Sequence, residues 1–334
     1  MTTLWILALL TLLSIGIGIR VGVDIKLTSF FLNSAKAHYL AEAGLRKTIM
    51  LIEQDGSKNV DSLNEKWGCG YDFDEEEYLL KDIELGEGVF TVGYEFGQTE
   101  EGSPVYLYGA SDEEGKLNIN KVEFAVLVNL PDFTSEIADS VMDWRDEDDV
   151  GRAEGAESPH YGELEHPYEC KSGPFSTPEE LLLVKGMTPE IYEGVKDIIT
   201  VYPRESDGKV NINTAPEKVL EVVIGEEFDE LPGKILAFRN GDDEEPGTED
   251  DRIFQTVEAI VTQLRSPLAS GGLGADEMAR LNDLVVNKKI FKVTSGTFRI
   301  VSRGTAVGGK VNKTIEAVIN RTKDGSSIIH YYEN

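Results

Sequence analysis

The first 19 residues, MTTLWILALLTLLSIGIGI, carry no charged side chain, and Arg20 closes the run. About 20 apolar residues in helical form cross a bilayer core, so the chain is expected to begin with a transmembrane helix. A secretory signal peptide would have a shorter apolar stretch and a basic start. Beyond the run, Leu27, Phe31, Ala35, Leu45, Ile49 and Ile52 recur at three-to-four-residue steps or their multiples. That spacing predicts that the helix continues to about Ile52, with an apolar stripe on a polar background and Gly56 as its stop. The expected element is one long helix, its first half in lipid and its second half packed on a soluble body.

The period then changes. Residues 54–67 are polar and read as loop or short helix, residues 67–70 as a turn, and residues 72–77 (DFDEEE) as a solvated acidic face. Residues 89–96 alternate with the period of a half-buried strand, residues 105–108 offer a second strand, and residues 97–104 a hairpin loop between them. Residues 111–287 look helical, with loops rich in Asp, Glu, Gly and Pro; alternation returns at 291–302 and 311–320, on either side of a turn at 304–309. A sheet begun before residue 110 and resumed after 290 implies an insertion. The expected fold class is α+β: a long N-terminal helix packed on a small antiparallel sheet, with a large inserted helical domain. The corresponding division is 1–23 in the membrane, 24–110 and 288–334 forming the sheet domain, and 111–287 inserted.

Within the insertion a hexapeptide repeats: GKLNIN at 115–120 and GKVNIN at 208–213. An apolar helical pattern follows each copy, at 122–130 and 219–224. After the second copy, Thr214 is expected to cap a helix with Pro216 in its first turn. Two copies suggest two related helical subunits, not a solenoid. Residues 181–201 and 211–260 each look like helix-hairpin-helix units of the kind that hold nucleic-acid phosphate with hairpin amides and basic residues. Here Lys185 and Lys234 stand isolated among acids, so packing within the protein is the expected role.

Charge narrows the function classes. The 334 residues include 61 acidic and 32 basic side chains, a net charge of −29. Such a body repels nucleic-acid phosphate and anionic lipid. Catalytic signatures are missing: none of the four histidines lies in H-E-x-x-H, and there is no P-loop or G-x-S-x-G. Gly271, Gly272 and Gly274 form a loop, not a dinucleotide fingerprint, because no strand precedes them. His160, Glu163, His166 and Cys170 match no usual zinc spacing and read as loop residues. Cys69 and Cys170 can form one disulfide outside the cytoplasm or remain free thiols; their spacing does not decide.

One acidic stretch does suggest chemistry. Asp143, Asp146, Asp148, Asp149, Glu154 and Glu157 crowd a short segment. Two carboxylates about 4 Å apart repel by roughly 4 kcal/mol at an effective dielectric near 20. Solvent, protonation or a cation must relieve them. Oxygen ligands on a flexible loop suit Ca²⁺ better than Zn²⁺ or octahedral Mg²⁺, although the spacing is not an EF-hand. The acids at 242–245 and 249–251 are a weaker candidate that reads as an exposed loop.

Taken in order, the motifs resemble the K-type minor pseudopilin of the bacterial type II secretion system, the GspK family. The similarity rests on the apolar N-terminus; Ala41-Glu42-Ala43-Gly44; residues 115–120; Asp143-Trp144 with Asp146 and Asp148; Gly155-Ala156-Glu157 and Tyr161; and Gly173-Pro174-Phe175 before Glu180-Leu181. It continues through VKGMT at 184–188, VNINTAP at 210–216, and Phe291, Val293, Ser295 and Phe298. Each motif alone is weak; their order and separation are specific. The resemblance implies a pilin-like fold with a large helical (helix-hairpin-helix or SAM-like) insertion, and no enzymatic activity. It implies a place at the pseudopilus tip with the I- and J-type minor pseudopilins, above the major pseudopilin and the inner-membrane platform, in export of folded proteins. It also implies a single-pass inner-membrane protein with a periplasmic body, and calcium at the acidic motif. A minor pilin of a type IV pilus is the alternative reading. The chain departs from the family at Arg145, where an apolar residue is usual; like the K-type generally, it lacks the pilin glutamate near the N-terminus. With Arg20 and Lys26 after the apolar run and no basic residue before it, the positive-inside rule taken literally would hold the body in the cytoplasm. A basic leader upstream of Met1 would reverse that orientation.

Overall fold

The computed structural model describes all residues except 57–58, 99–101, 266–271, 307, 310 and 324. Residues 99–101 of the expected hairpin loop, 307 of the expected turn, and Gly271 therefore lie outside the described residues.

Helix α1 spans Thr2–Gln54, 53 residues, or about 80 Å at 1.5 Å per residue. Its apolar first half is fully exposed and long enough to cross a membrane. Its packed face is Ala37, Leu40, Ala41, Gly44, Leu45, Thr48 and Ile52, at steps of three and four. The buried stripe thus begins later than the periodicity suggested: Leu27, Phe31 and Ala35 are exposed. Those side chains keep the helical period, but the sheet does not extend beneath them.

The packed half lies on an antiparallel sheet. Its strands are β3 (Ile83–Leu85), β4 (Gly88–Val92), β12 (Thr297–Ala306), β13 (Asn312–Thr322) and β14 (Gly325–Glu333), in the order β14-β13-β12-β4-β3. Strand β7 (Ser111–Asp112) extends β4's side of β12, pairing Asp112 with Phe298. Strands that precede and follow the inserted residues, β4 and β12, are therefore adjacent, as an insertion requires. Two hairpins flank the sheet: β1 (Tyr71–Asp72) with β2 (Glu77–Tyr78), and β5 (Tyr94–Gln98) with β6 (Pro104–Leu107). The helix docks at very close range. A Cβ on Gly44 would sit 2.3 Å from Ser302 Oγ, and one on Gly304 would sit 2.1 Å from the Ala37 carbonyl oxygen. Ser302 Oγ uses this proximity to donate to the Ala41 carbonyl at 2.7 Å.

Three sequence expectations change. The single strand at 89–96 breaks at Gly93, where a Cβ would lie 2.6 Å from the Leu107 carbonyl oxygen and where the chain leaves the main sheet for the β5–β6 hairpin. The strand at 291–302 is two: β11 (Phe291–Lys292) in the inserted part and β12 in the sheet. Strand β14 escaped the pattern, because a register shift opposite Val318 and Ile319 breaks its alternation.

The inserted part carries α2 (Phe124–Leu127), α3 (Ser135–Arg145), α4 (Ser158–Gly162), α5 (Pro189–Val195), α6 (Glu217–Ile224), α7 (Glu230–Arg239), α8 (Ala259–Leu264) and α9 (Ala275–Asn282). It has its own hydrophobic core, drawn almost wholly from residues 117–293, separate from the core between α1 and the sheet. The repeated hexapeptide is its wiring. Strand β8 (Leu117–Asn118) pairs in parallel with β9 (Ile199–Thr200), and β10 (Val210–Asn211) with β11. In each copy the first Asn accepts at its Oδ1 from the amide two residues on, Asn120 or Asn213, at 3.0 Å. The second Asn clamps a distant phenylalanine backbone: Asn120 to Phe175, and Asn213 to Phe254. An arginine at a helix end closes each copy. Arg145 donates to the Ile119 and Val122 carbonyls, and Arg239 to those of Ile212 and Ala215. Thr214 is not the cap of α6: Pro216 holds that position, and the Thr214 hydroxyl donates instead to Asp112 at 2.6 Å.

Both cysteines are free and buried, so the optional disulfide is absent. Burial pushes the Cys69 thiol up to about 11.

Candidate metal centre

Helix α3 delivers the acidic segment. Thr134 starts it, accepting at Oγ1 from the Ile137 amide, and Asp146 ends it. Trp144 anchors the far end in a nest of rings, 5.2 Å from Tyr161 and 6.4 Å from Phe175. With Arg145 tied to carbonyls, the helix end has little freedom. Asp143, fully buried, turns back under the following loop and accepts from the Arg152 amide at 3.0 Å. Asp139 accepts from the Glu154 amide at 3.2 Å. Lys185 donates to the Glu154 carbonyl at 3.0 Å and pairs with Glu136 at the same distance. Gly155 is obligatory in this loop, since its Cβ would lie 1.9 Å from Asp143 Oδ2.

Above this base, carboxylate oxygens of Asp146, Asp148 and Glu157 lie within 4.8 Å of one another. Glu157 is 6% exposed, and neither of its carboxylate oxygens has a hydrogen-bond partner; nor does buried Oδ1 of Asp146. Buried acceptors without donors cost free energy unless a proton or cation satisfies them. Burial, then the neighbouring Asp143 and Asp146, pushes the Glu157 carboxyl up to about 7. Burial likewise raises Asp143 and Asp146. This all-oxygen donor set fits a hard divalent cation such as Ca²⁺.

Of the six acids expected to gather, three do so, and Asp143 lies beneath them. Asp149 and Glu154 are exposed and stand outside the group. Asp139, which holds the Glu154 amide, was not singled out in the sequence, and Gly155 was noted only as part of the Gly155-Ala156-Glu157 motif, not for the close approach it permits. The acids at 242–251 close on themselves instead: Asp250 accepts from the Asp242 and Asp243 amides, and Arg252 pairs with Asp242. A third group, Asp55, Asp61 and Glu65, already holds a cation, the Arg321 guanidinium, 2.6 Å from Asp61 and 3.0 Å from Asp55. His160, Glu163, His166 and Cys170 form no ligand group among the described residues.

Residues 114–204 match the family model described as Type II secretion system (T2SS), protein K. The fold is similar to that of a chain in the crystal structure of the GspK–GspI–GspJ complex from the type 2 secretion system of enterotoxigenic Escherichia coli. The TM-score is 0.60 at 18% sequence identity, over 94% of this chain and 99% of that one. Curated protein sequences give no match.

Proposed function

We propose that this chain is a protein K of the type II secretion system, the minor pseudopilin that starts or caps the pseudopilus; the match of residues 114–204 to that family's model supports the reading. The observation that carries this reading is architectural. A helix-on-sheet unit with a membrane-competent α1 is interrupted between Asp112 and Phe291 by a second, independently cored body. Such a bulky insertion obstructs a further subunit stacked above it, but not one below. The tip is the one position in a fibre where nothing must fit above.

Partners follow from the related complex, which holds GspK with GspI and GspJ. We assign this chain I- and J-type partners beside it and the major pseudopilin below. Its α1 is anchored in the inner membrane near the platform before assembly, with the body in the periplasm. The role is structural, without a catalytic step. The inserted domain, residues 111–287, is the tip's outermost part, and calcium at Asp146, Asp148 and Glu157 is its structural ion. Support for the ion comes from the orphaned buried oxygens of Glu157 and Asp146.

Co-expression with I- and J-type minor pseudopilins of the same secretion system tests the assignment. A single ternary species in size-exclusion chromatography with light scattering is expected. Elution of this chain apart from both partners would contradict it.

A further inference from the structure

Five aromatic rings form one continuous surface on the sheet domain. Phe73 meets Tyr71 at 5.2 Å between ring centroids, Tyr71 meets Tyr78 at 4.9 Å, Tyr78 meets Tyr108 at 5.5 Å, and Tyr108 meets Tyr106 at 5.1 Å, all edge to face. The series crosses from the β1–β2 hairpin to β6 and the residue just beyond it. None of the five belongs to either hydrophobic core, and Tyr78 and Tyr106 are 45% and 48% exposed. Cross-strand stacking of Tyr71 on Tyr78 helps hold one short hairpin. It does not account for the continuation to Tyr106 or for the exposed ring area.

Two further features say what this surface accepts. Lys81 Nζ already sits over it, 4.6 Å from the Tyr78 centroid and 4.7 Å from that of Tyr108, so the ring faces can hold an ammonium group. Beside the rings, Asp74, Glu75, Glu76 and Glu77 are exposed and make no ion pair among the described residues. Neighbouring Asp72 differs, being paired with Lys66 at 2.6 Å. Tyrosine-rich surfaces carry much of the binding energy at protein interfaces, and a rim with an excess of one charge selects the opposite charge. A second copy of this chain, at −29, would be repelled.

We propose that the aromatic surface formed by Tyr71, Phe73, Tyr78, Tyr106 and Tyr108, with its rim at residues 74–77, docks a protein segment bearing arginine or lysine side chains. The cations stack on the exposed tyrosine faces, and the rim carboxylates draw them in. This site is separate from the metal centre, and its failure would leave the pseudopilin assignment untouched.

The test uses the full chain in neutral detergent and a fluorescein-labelled peptide of alternating Arg and Ser, read by fluorescence anisotropy. An alternating Glu and Ser peptide serves as control. Y78A with Y106A should weaken binding about tenfold, the scale of two partly exposed cation–π contacts. Y78F with Y106F, which keeps the ring faces, should bind within about twofold of the native chain. E75Q with E76Q should weaken binding severalfold, whereas E244Q with E245Q, in a different acidic loop, should not. Native affinity in the Y78A/Y106A variant would overturn the proposal. So would equal weakening by the two glutamine pairs, since that is diffuse attraction to an acidic protein. If the alanine pair loses its melting transition, the comparison of the two glutamine pairs decides alone.

Discussion

At the scale of single residues, the inserted body is organised by polar side chains whose role their type alone does not disclose. Arg145 stood out in the sequence as a charge where the GspK family, which the sequence resembles, usually has an apolar residue. Its repeat-mate Arg239, 2% exposed, shows why a guanidinium works there: each reaches two carbonyls at the same offsets of the repeated hexapeptide. The echo was legible as letters. Its meaning, two copies of one hydrogen-bond circuit, needed the long-range partners Phe175 and Phe254. The acidic motif was legible as a cluster, but not its sorting. Only packing could separate buried Glu157 from exposed Asp149 and Glu154.

Glu157 also sets a test with a definite sign. Its folded carboxyl is raised to about 7 from an ordinary 4.5, and buried Asp112 likewise to about 7 from 3.8. Between those values the folded chain holds more protons than the unfolded one, so stability falls as pH rises through the window. Glu113 contributes little there: burial would raise it, but Arg299 and Lys116 pull it down to about 2, so its contribution is lost only in stronger acid. Metal-stripped protein should therefore melt at a higher temperature at pH 6 than at pH 7.5. Calcium at 100 times its dissociation constant should add about 2.7 kcal/mol of stability. Its effect should be larger at pH 7.5, where Glu157 gives up its proton more readily. D146A with D148A should abolish the calcium effect, and E157Q should also flatten part of the pH dependence. Calorimetric scans of stripped protein that coincide with and without calcium would remove the ion from this account.

At the scale of elements, the decisive contact is α1 on β12. The helical period identified the helix, yet it placed the stripe's start at Leu27 when burial begins at Ala37. Periodicity reports which side chains share a face; it does not report how far the opposing sheet extends. The glycines at the contact carry that missing information. Gly44 and Gly304 let the backbones approach until a Cβ on either would overlap its neighbour. G304A should cost about 1–3 kcal/mol, as overpacking does in a filled core. G97A, on the β5–β6 hairpin with no atom within 4 Å of the added carbon, serves as a control and should cost far less. Chemical denaturation of the two variants compares them directly; equal midpoints would mean that the docking is looser than described. Strand β14 marks another limit of pattern reading, since its register shift hides the alternation that betrayed β13.

At the scale of the whole molecule, the order of patterns along the chain already implied a helix-on-sheet body split by a helical insertion, because alternation stopped near residue 110 and resumed after 290. Pairing of β7 with β12 and of β4 with β12 closes that split in space. The insertion was legible as a helical domain, but not which residues close its separate core, as they lie on short helices joined by acidic loops. On the proposed reading, the exposed first half of α1 is the part that enters the fibre and the inserted body is the part that caps it. The most direct measurement is the position of this chain in assembled fibres. With a gold label on the inserted body, electron microscopy should find one label at one end of each fibre. Labels spaced along the shaft, at the abundance of the major subunit, would contradict the account.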